Sequence, residues 1–234
     1  GSFVEYDAGL TSRNPLDFDG YPEKLAEAQA DTGLQDAVVT GECTIRTRKC
    51  VIAIMDSRFM MASMGSVVGE KITRLFERAT EQKLPVVLDL QPVFLETDMH
   101  WAVERIGPER AAYSYRWETY RKAGLILTGG SDCPVEPFSP WLNIYTAVAR
   151  KDFHRYPEGG YQPEEKMSVY DAVCMFTKNL HYAAGQDAVL GTLEPGKFAD
   201  MVVIVRDIFK IPADEIMDIQ VEKTYLAGRE VYSK

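Results

Sequence analysis

The stretch 125–137, Leu-Ile-Leu-Thr-Gly-Gly-Ser-Asp-Cys-Pro-Val-Glu-Pro, constrains the fold more than any other part of the chain. Residues 125–128 form a short apolar run of the kind used by a fully buried parallel strand. Gly129 and Gly130 predict a sharp turn at low steric cost. Asp132 follows, and Pro134 and Pro137 stop regular structure behind it. A carboxylate therefore falls just past the C-terminal end of a buried strand, where α/β barrels and open α/β sheets collect their chemistry. The same residue also fits an Asx-turn, or the cap of a helix starting near Ser139. Local sequence leaves both readings open.

The rest of the chain alternates in the same α/β manner. Residues 1–20 are polar and turn-rich. Residues 22–31 predict a short helix, with Pro22 in its first turn and Gly33 placed to end it. Residues 37–40 and 50–55 predict strands. Residues 67–82 predict an amphipathic helix, with Val68, Ile72, Leu75, Phe76 and Ala79 inward and Glu70, Lys71, Arg74, Glu77 and Arg78 outward. A buried strand is expected at 85–90, helices at 97–105 and 111–123, and a further helix at 140–150. Ser168 should cap a helix over 169–179. From residue 201 the pattern turns to β, with strands at 201–205, 219–227 and 230–232.

With 234 residues, 46% of them hydrophobic, the chain can bury a sizeable core. No apolar run approaches membrane-spanning length. A net charge of −9 argues against a nucleic-acid partner. Cys43, Cys50, Cys133 and Cys174 are scattered without a C-x-x-C pair, which fits reduced thiols in a cytoplasmic protein and argues against a zinc ribbon.

Gly130-Ser-Asp-Cys-Pro-Val135, preceded by Ala123-Gly124, resembles the last barrel strand of the amidohydrolase superfamily. The likeness is to its branch of metal-dependent hydrolases that includes formamide deformylases, amidohydrolase family 3. Three more stretches match in order. Gln91-Pro92 with Asp98, Trp101, the run Arg105 to Arg110, and Tyr115-Arg116-Trp117 resembles the seventh strand and its helix. Thr177-Lys-Asn179 with Ala183-Ala-Gly185 resembles the helix after the barrel. Leu190 to Ile204, containing Glu194-Pro-Gly-Lys-Phe-Ala-Asp200, resembles the return into a small β-sandwich.

The resemblance implies an α/β fold: a partial (β/α)₈ TIM barrel, represented by its last strands and helices, followed by a small β-sandwich segment. Residues 1–33 would be an N-terminal loop and helix, 34–189 the C-terminal half of the barrel, and 190–234 the sandwich segment. Laid on this pattern, residues 34–42 are the fifth barrel strand and 50–56 the sixth. A whole barrel takes about 250 residues, so the chain is expected to be a fragment or a reduced relative. A half-barrel would leave an open strand edge, so self-association into a homo-oligomer or long disordered stretches are expected.

The implied activity is metal-dependent hydrolysis of carbon–nitrogen bonds other than peptide bonds, in a small amide-like substrate. Asp132 matches the family aspartate that binds the divalent metal, most often zinc, and moves the proton from the metal-bound water to the leaving nitrogen. Gln91, Ser131 and Glu136 are implied to line the substrate pocket. The rest of the family's metal set is missing. There is no His-x-His, Val38 stands where the fifth strand should carry histidine, and none of His100, His154 and His181 falls at a strand end. Asp56 and Asp89 are the only strand-end substitutes. The alternative is a non-catalytic remnant or interaction module without metal. Trp101, Trp117 and Trp141 read as helix-packing residues.

Overall fold

The computed structural model describes residues 2–14, 17–45, 48–84 and 86–234. Two compact units divide between Val86 and Val87. Pro85, the expected first residue of the strand at 85–90, lies outside the described residues.

The first unit holds β1 (Val4–Tyr6), α1 (Tyr21–Thr32), β2 (Val38–Ile45), β3 (Arg48–Met55) and α2 (Ser66–Glu81). Helix α1 ends at Gly33, whose φ of 72° is the left-handed conformation that glycine adopts without a Cβ penalty. Its N–H donates to the Gln29 carbonyl. Strands β1, β2 and β3 form one sheet in that order, and both pairings are antiparallel. This corrects the expectation that residues 34–56 supply two parallel barrel strands. Val38 pairs with Met55 and Ile45 with Arg48, so the connection is a hairpin. Parallel neighbours would need a crossover of a dozen residues or more.

Helix α2 buries Val68, Lys71, Leu75 and Ala79. Lys71 was expected on the solvated face, yet it lies on the i, i+3, i+7 stripe that packs inward. Its ammonium donates to the Val38 carbonyl at 3.1 Å. At the other side of the helix Arg74 and Arg78 both pair with Asp7, each at 2.9 Å.

The second unit runs in chain order as β4 (Val87–Leu90), α3 (Leu95–Asp98), α4 (Ala102–Ile106), α5 (Pro108–Ala111), α6 (Trp117–Lys122), β5 (Ile126–Gly129), α7 (Pro140–Ala149), α8 (Val169–Met175), α9 (Lys178–Ala183), β6 (Met201–Ile204), β7 (Val221–Leu226) and β8 (Arg229–Ser233). Strands β4 and β5 pair in parallel, Val87 with Ile126 through Leu90 with Gly129. The helices between them make the crossover. They are four short pieces where two longer ones were expected, because the chain breaks at His100–Trp101, at Gly107 and around Tyr115, whose φ is +57°.

Helix α7 is apolar around most of its circumference, and Asn143 through Ala149 are all buried. It is the centre of a core that includes Leu95, Trp117, Leu127, Ile144, Met175 and Ile216. Ser168 caps α8 as its sequence predicts, accepting the Asp171 N–H at 3.0 Å. The C-terminal β unit is a single antiparallel sheet, β6-β7-β8, with Ala227 and Gly228 in positive φ at its tight turn. The architecture is thus mixed α/β.

Gly129 and Gly130 were expected to let the backbone turn sharply; neither has a positive φ, and Gly129 still belongs to β5. Gly129 is needed for space. A Cβ there would sit 2.4 Å from the Phe176 ring. Gly129→Ala should therefore destabilise the protein by about 1–3 kcal/mol through overpacking. Urea unfolding measures this, and Phe176→Ala in the same background should recover part of the loss. An unchanged midpoint in the single variant would show that the ring moves aside freely.

Candidate active site

The parallel pairing of β4 and β5 brings their C-terminal ends to one edge. Gly130 N–H continues the ladder by donating to the Leu90 carbonyl at 2.9 Å. The chain then turns through Ser131 and Asp132. Asp132 takes a φ of +55°, a conformation that Asp and Asn tolerate better than most residues. Its carbonyl accepts the Val135 N–H at 2.9 Å. Ser139, not Asp132, precedes α7 as its cap residue. Among the described residues nothing donates a hydrogen bond to the exposed Asp132 carboxylate, so the capping alternative is not realised.

Asp132 faces a cleft of about 420 Å³. The carboxylates of Asp98 and Asp132, the Gln91 amide, Leu90, and the rings of Phe94, Tyr115, Trp117 and Tyr120 line it. Of the expected site residues, Asp132 and Gln91 thus come together. Ser131 is not in the lining; its hydroxyl accepts the Cys133 N–H at 3.3 Å, which shapes the turn. Glu136 is also outside the lining and half-buried. Burial, with the nearby charges of Glu96 and Asp98, holds its pKa above the ordinary glutamate value.

Three buried polar residues hold the walls. Asn143 on α7 accepts the Val93 N–H at 3.0 Å, which fixes the segment that follows Gln91. Glu165 accepts the Thr119 N–H at 2.9 Å and the Arg116 Nε–H at 3.4 Å, which fixes the start of α6. Burial alone would raise the Glu165 pKa; these hydrogen bonds outweigh it and bring it below the ordinary value. Arg150 is fully buried. It donates to the carbonyls of Tyr161 at 2.6 Å and Tyr115 at 2.9 Å, and its guanidinium lies 4.6 Å from the centre of the Trp117 ring. Burial pulls its pKa down to about 10, which still leaves it charged at neutral pH.

Arg150 thereby secures two cleft residues, Tyr115 and Trp117. Tyr115 in turn donates its hydroxyl proton to Asp98. Burial and then that hydrogen bond hold the phenol well above its usual pKa. Sequence reading did not place Asp98, Tyr115, Asn143 or Arg150 in the site. The available signal was a polar residue inside or ending the apolar run of α7, since such groups must find partners when buried.

The three histidines stay away from this lining. His100 pairs with the buried Asp152 at 3.0 Å and stacks on Tyr156. Trp101 is exposed rather than packed, whereas Trp117 is buried. Asp56, one of the strand-end substitutes, is engaged by Arg58 at 2.6 Å, and that guanidinium lowers its pKa to about 2. Asp89, the other, accepts the Thr128 hydroxyl at 2.8 Å. Among the described residues no group of three or more His, Cys, Asp or Glu side chains could hold a metal ion. A catalytic zinc normally takes three protein ligands and a water. The donor set present does not fit such a centre, and Asp132 could supply one ligand only.

A family model described as the amidohydrolase family matches residues 54–232. The chain belongs to the amidohydrolase family. A Bacillus subtilis (strain 168) protein, YtcJ, whose name marks it as a candidate amidohydrolase, is 34% identical over 160 residues. That alignment covers 68% of this chain and 30% of YtcJ, so the chain spans less than a third of that relative's length. Two solved structures are also similar, both of uncharacterized metal-dependent hydrolases. The Pyrococcus furiosus protein is 32% identical with a TM-score of 0.47, covering 57% of this chain and 26% of its own. The Pyrococcus horikoshii OT3 protein is 29% identical with a TM-score of 0.48, covering 58% and 27%. In this amidohydrolase-family chain the matched region includes the whole cleft.

Because Arg150 holds both Tyr115 and Trp117, Arg150→Lys should destabilise the fold by about 2–3 kcal/mol, since an ammonium cannot reach both carbonyls and stack on the indole. Chemical denaturation followed by tryptophan fluorescence checks the figure. A variant as stable as the parent would show that the cleft wall does not depend on this anchor.

Proposed function

We propose that the chain is part of a hydrolase acting on carbon–nitrogen bonds other than peptide bonds, with Asp132 as its proton-transfer carboxylate and Gln91 as a substrate contact. One observation carries this: a carboxylate with no hydrogen-bond donor among the described residues lies in a cleft, beyond a buried parallel strand. In that role Asp132 takes a proton from the attacking water as the new C–O bond forms. It then passes the proton to the nitrogen as the C–N bond breaks. Ser131 shapes the turn that presents Asp132, and Glu136 adds negative charge beside the cleft. The divalent metal, zinc by preference, belongs to the family reading. Among the described residues Asp132 is the one donor placed to hold it.

We also propose that the parallel pair β4–β5 and the helices up to residue 189 belong to a barrel, and that residues 190–234 contribute to a β-sandwich. A small amide-like substrate, a cytoplasmic setting and self-association are parts of the same proposal. No described helix is long and apolar enough to cross a membrane. The second reading, a non-catalytic amidohydrolase-like remnant or interaction module without metal, is favoured by the lack, among the described residues, of any group of three or more possible metal ligands.

Release of free amine from a panel of N-formyl and N-acyl amines tests the first reading. Asp132→Asn should lower turnover at least 100-fold, within the usual range for a general base. The fold should persist, because Asn adopts the same left-handed backbone readily. Hydrolysis that survives in the Asn variant would remove Asp132 from the mechanism. For the metal, equilibrium dialysis against zinc should give well under one tightly held ion per chain, since one carboxylate cannot replace the ion's water shell. Stoichiometric zinc with histidine ligands would overturn that expectation and the ligand assignment with it.

A further inference from the structure

We propose that the cleft selects a substrate bearing a cationic, amine-type group on an apolar or aromatic body, with Asp98 as the residue that receives the cation. The proposal rests on reading the cleft as a substrate site. Its lining contains two carboxylates and four aromatic rings, and no Lys, Arg or His. An anionic ligand there would meet Asp98 and Asp132 without compensation. A cation gains from both carboxylates and from the negative faces of the rings, in a recess where water screens less than in bulk.

Asp98 is prepared for this role. The Tyr115 hydroxyl donates to its Oδ2. Such a bond fixes the orientation of the carboxylate. No described residue donates to Oδ1, which is left to a ligand. The neighbouring positive charges are committed elsewhere. Arg116 pairs with Glu165. Arg150 is buried, bonded to backbone carbonyls, and already stacked over Trp117. Among the described residues, Phe94, Tyr115 and Tyr120 are then the lining rings that carry no stacked cation. Glu96 and Glu136 add negative charge beside the cleft; burial first, and then the charges of Glu96 and Asp98, hold the Glu136 pKa above its ordinary value.

Three probes of similar size decide the matter by calorimetric titration: benzyltrimethylammonium, benzyl alcohol and benzoate. The cation should bind about 10-fold more tightly than the alcohol, the scale of a desolvated cation–π and carboxylate contact, and benzoate should bind most weakly. Asp98→Asn should erase most of that preference. Tyr115→Phe keeps the carboxylate but removes the donor that orients it, and should weaken the preference without erasing it. Added salt should weaken the cation several-fold and leave the alcohol unchanged. Equal binding of all three probes, no binding of any, or preference surviving Asp98→Asn would each overturn the proposal. Should the Asn variant fail to fold, a salt-independent cation affinity in the parent and in Tyr115→Phe overturns it as well. The titrations read no turnover. Selectivity without hydrolysis sinks only the hydrolase reading, and hydrolysis without charge selectivity sinks only this one.

Discussion

The parallel pairing of β4 with β5 is the constraint on which the second unit depends. Register and direction together decide that Leu90-Gln91 and Gly129-Gly130 finish side by side. Had these runs met as a hairpin, Gln91 and Asp132 would lie at opposite ends of the sheet. Parallel strands also require a long crossover, and that crossover supplies Phe94, Asp98, Tyr115, Trp117 and Tyr120. One pairing choice thus creates both the edge that presents Asp132 and the connection that walls the cleft.

The crossover itself has little regular structure to hold it. Its helices are each six residues or fewer, below the length at which helices are stable alone. Buried polar anchors from other elements do this work. Asn143 reaches the segment after β4, Glu165 grips the start of α6, and Arg150 ties Tyr115 and Trp117 to α7 and its following loop. A buried guanidinium with carbonyl partners costs desolvation, visible in its lowered pKa. The return is geometric. It fixes a wall whose backbone at Tyr115 is left-handed and would not hold that shape unaided.

Much of this was legible where a local rule suffices. Gly33 ends α1, Ser168 caps α8, and the apolar runs before Asp89 and Gly129 are strands. Each follows from backbone sterics or short-range hydrogen bonding. The ordered motifs pointed to the family, which the matched region confirms. The expectations that failed needed information from farther away. The strands at 38–45 and 48–55 share the apolar character of barrel strands, and nothing in either says which neighbour it takes. Lys71 looks solvated by residue type, yet the helix stripe carries it inward to Val38.

The sequence by itself determined the alternation of strands and helices in the second unit, the carboxylate beyond the strand at 126–129, the shortage of histidine, and the family. These depend on residue type, spacing and near neighbours along the chain. Tertiary structure alone decided that β2 and β3 fold back on each other, that Gly129 serves the Phe176 ring rather than a turn, and that Asp98 joins Asp132 in one cleft. It also decided that Arg150 and Asn143 are the supports of that cleft. Such outcomes are set by which surfaces meet and which buried polar groups must find partners, and neither is written in any local stretch of residues.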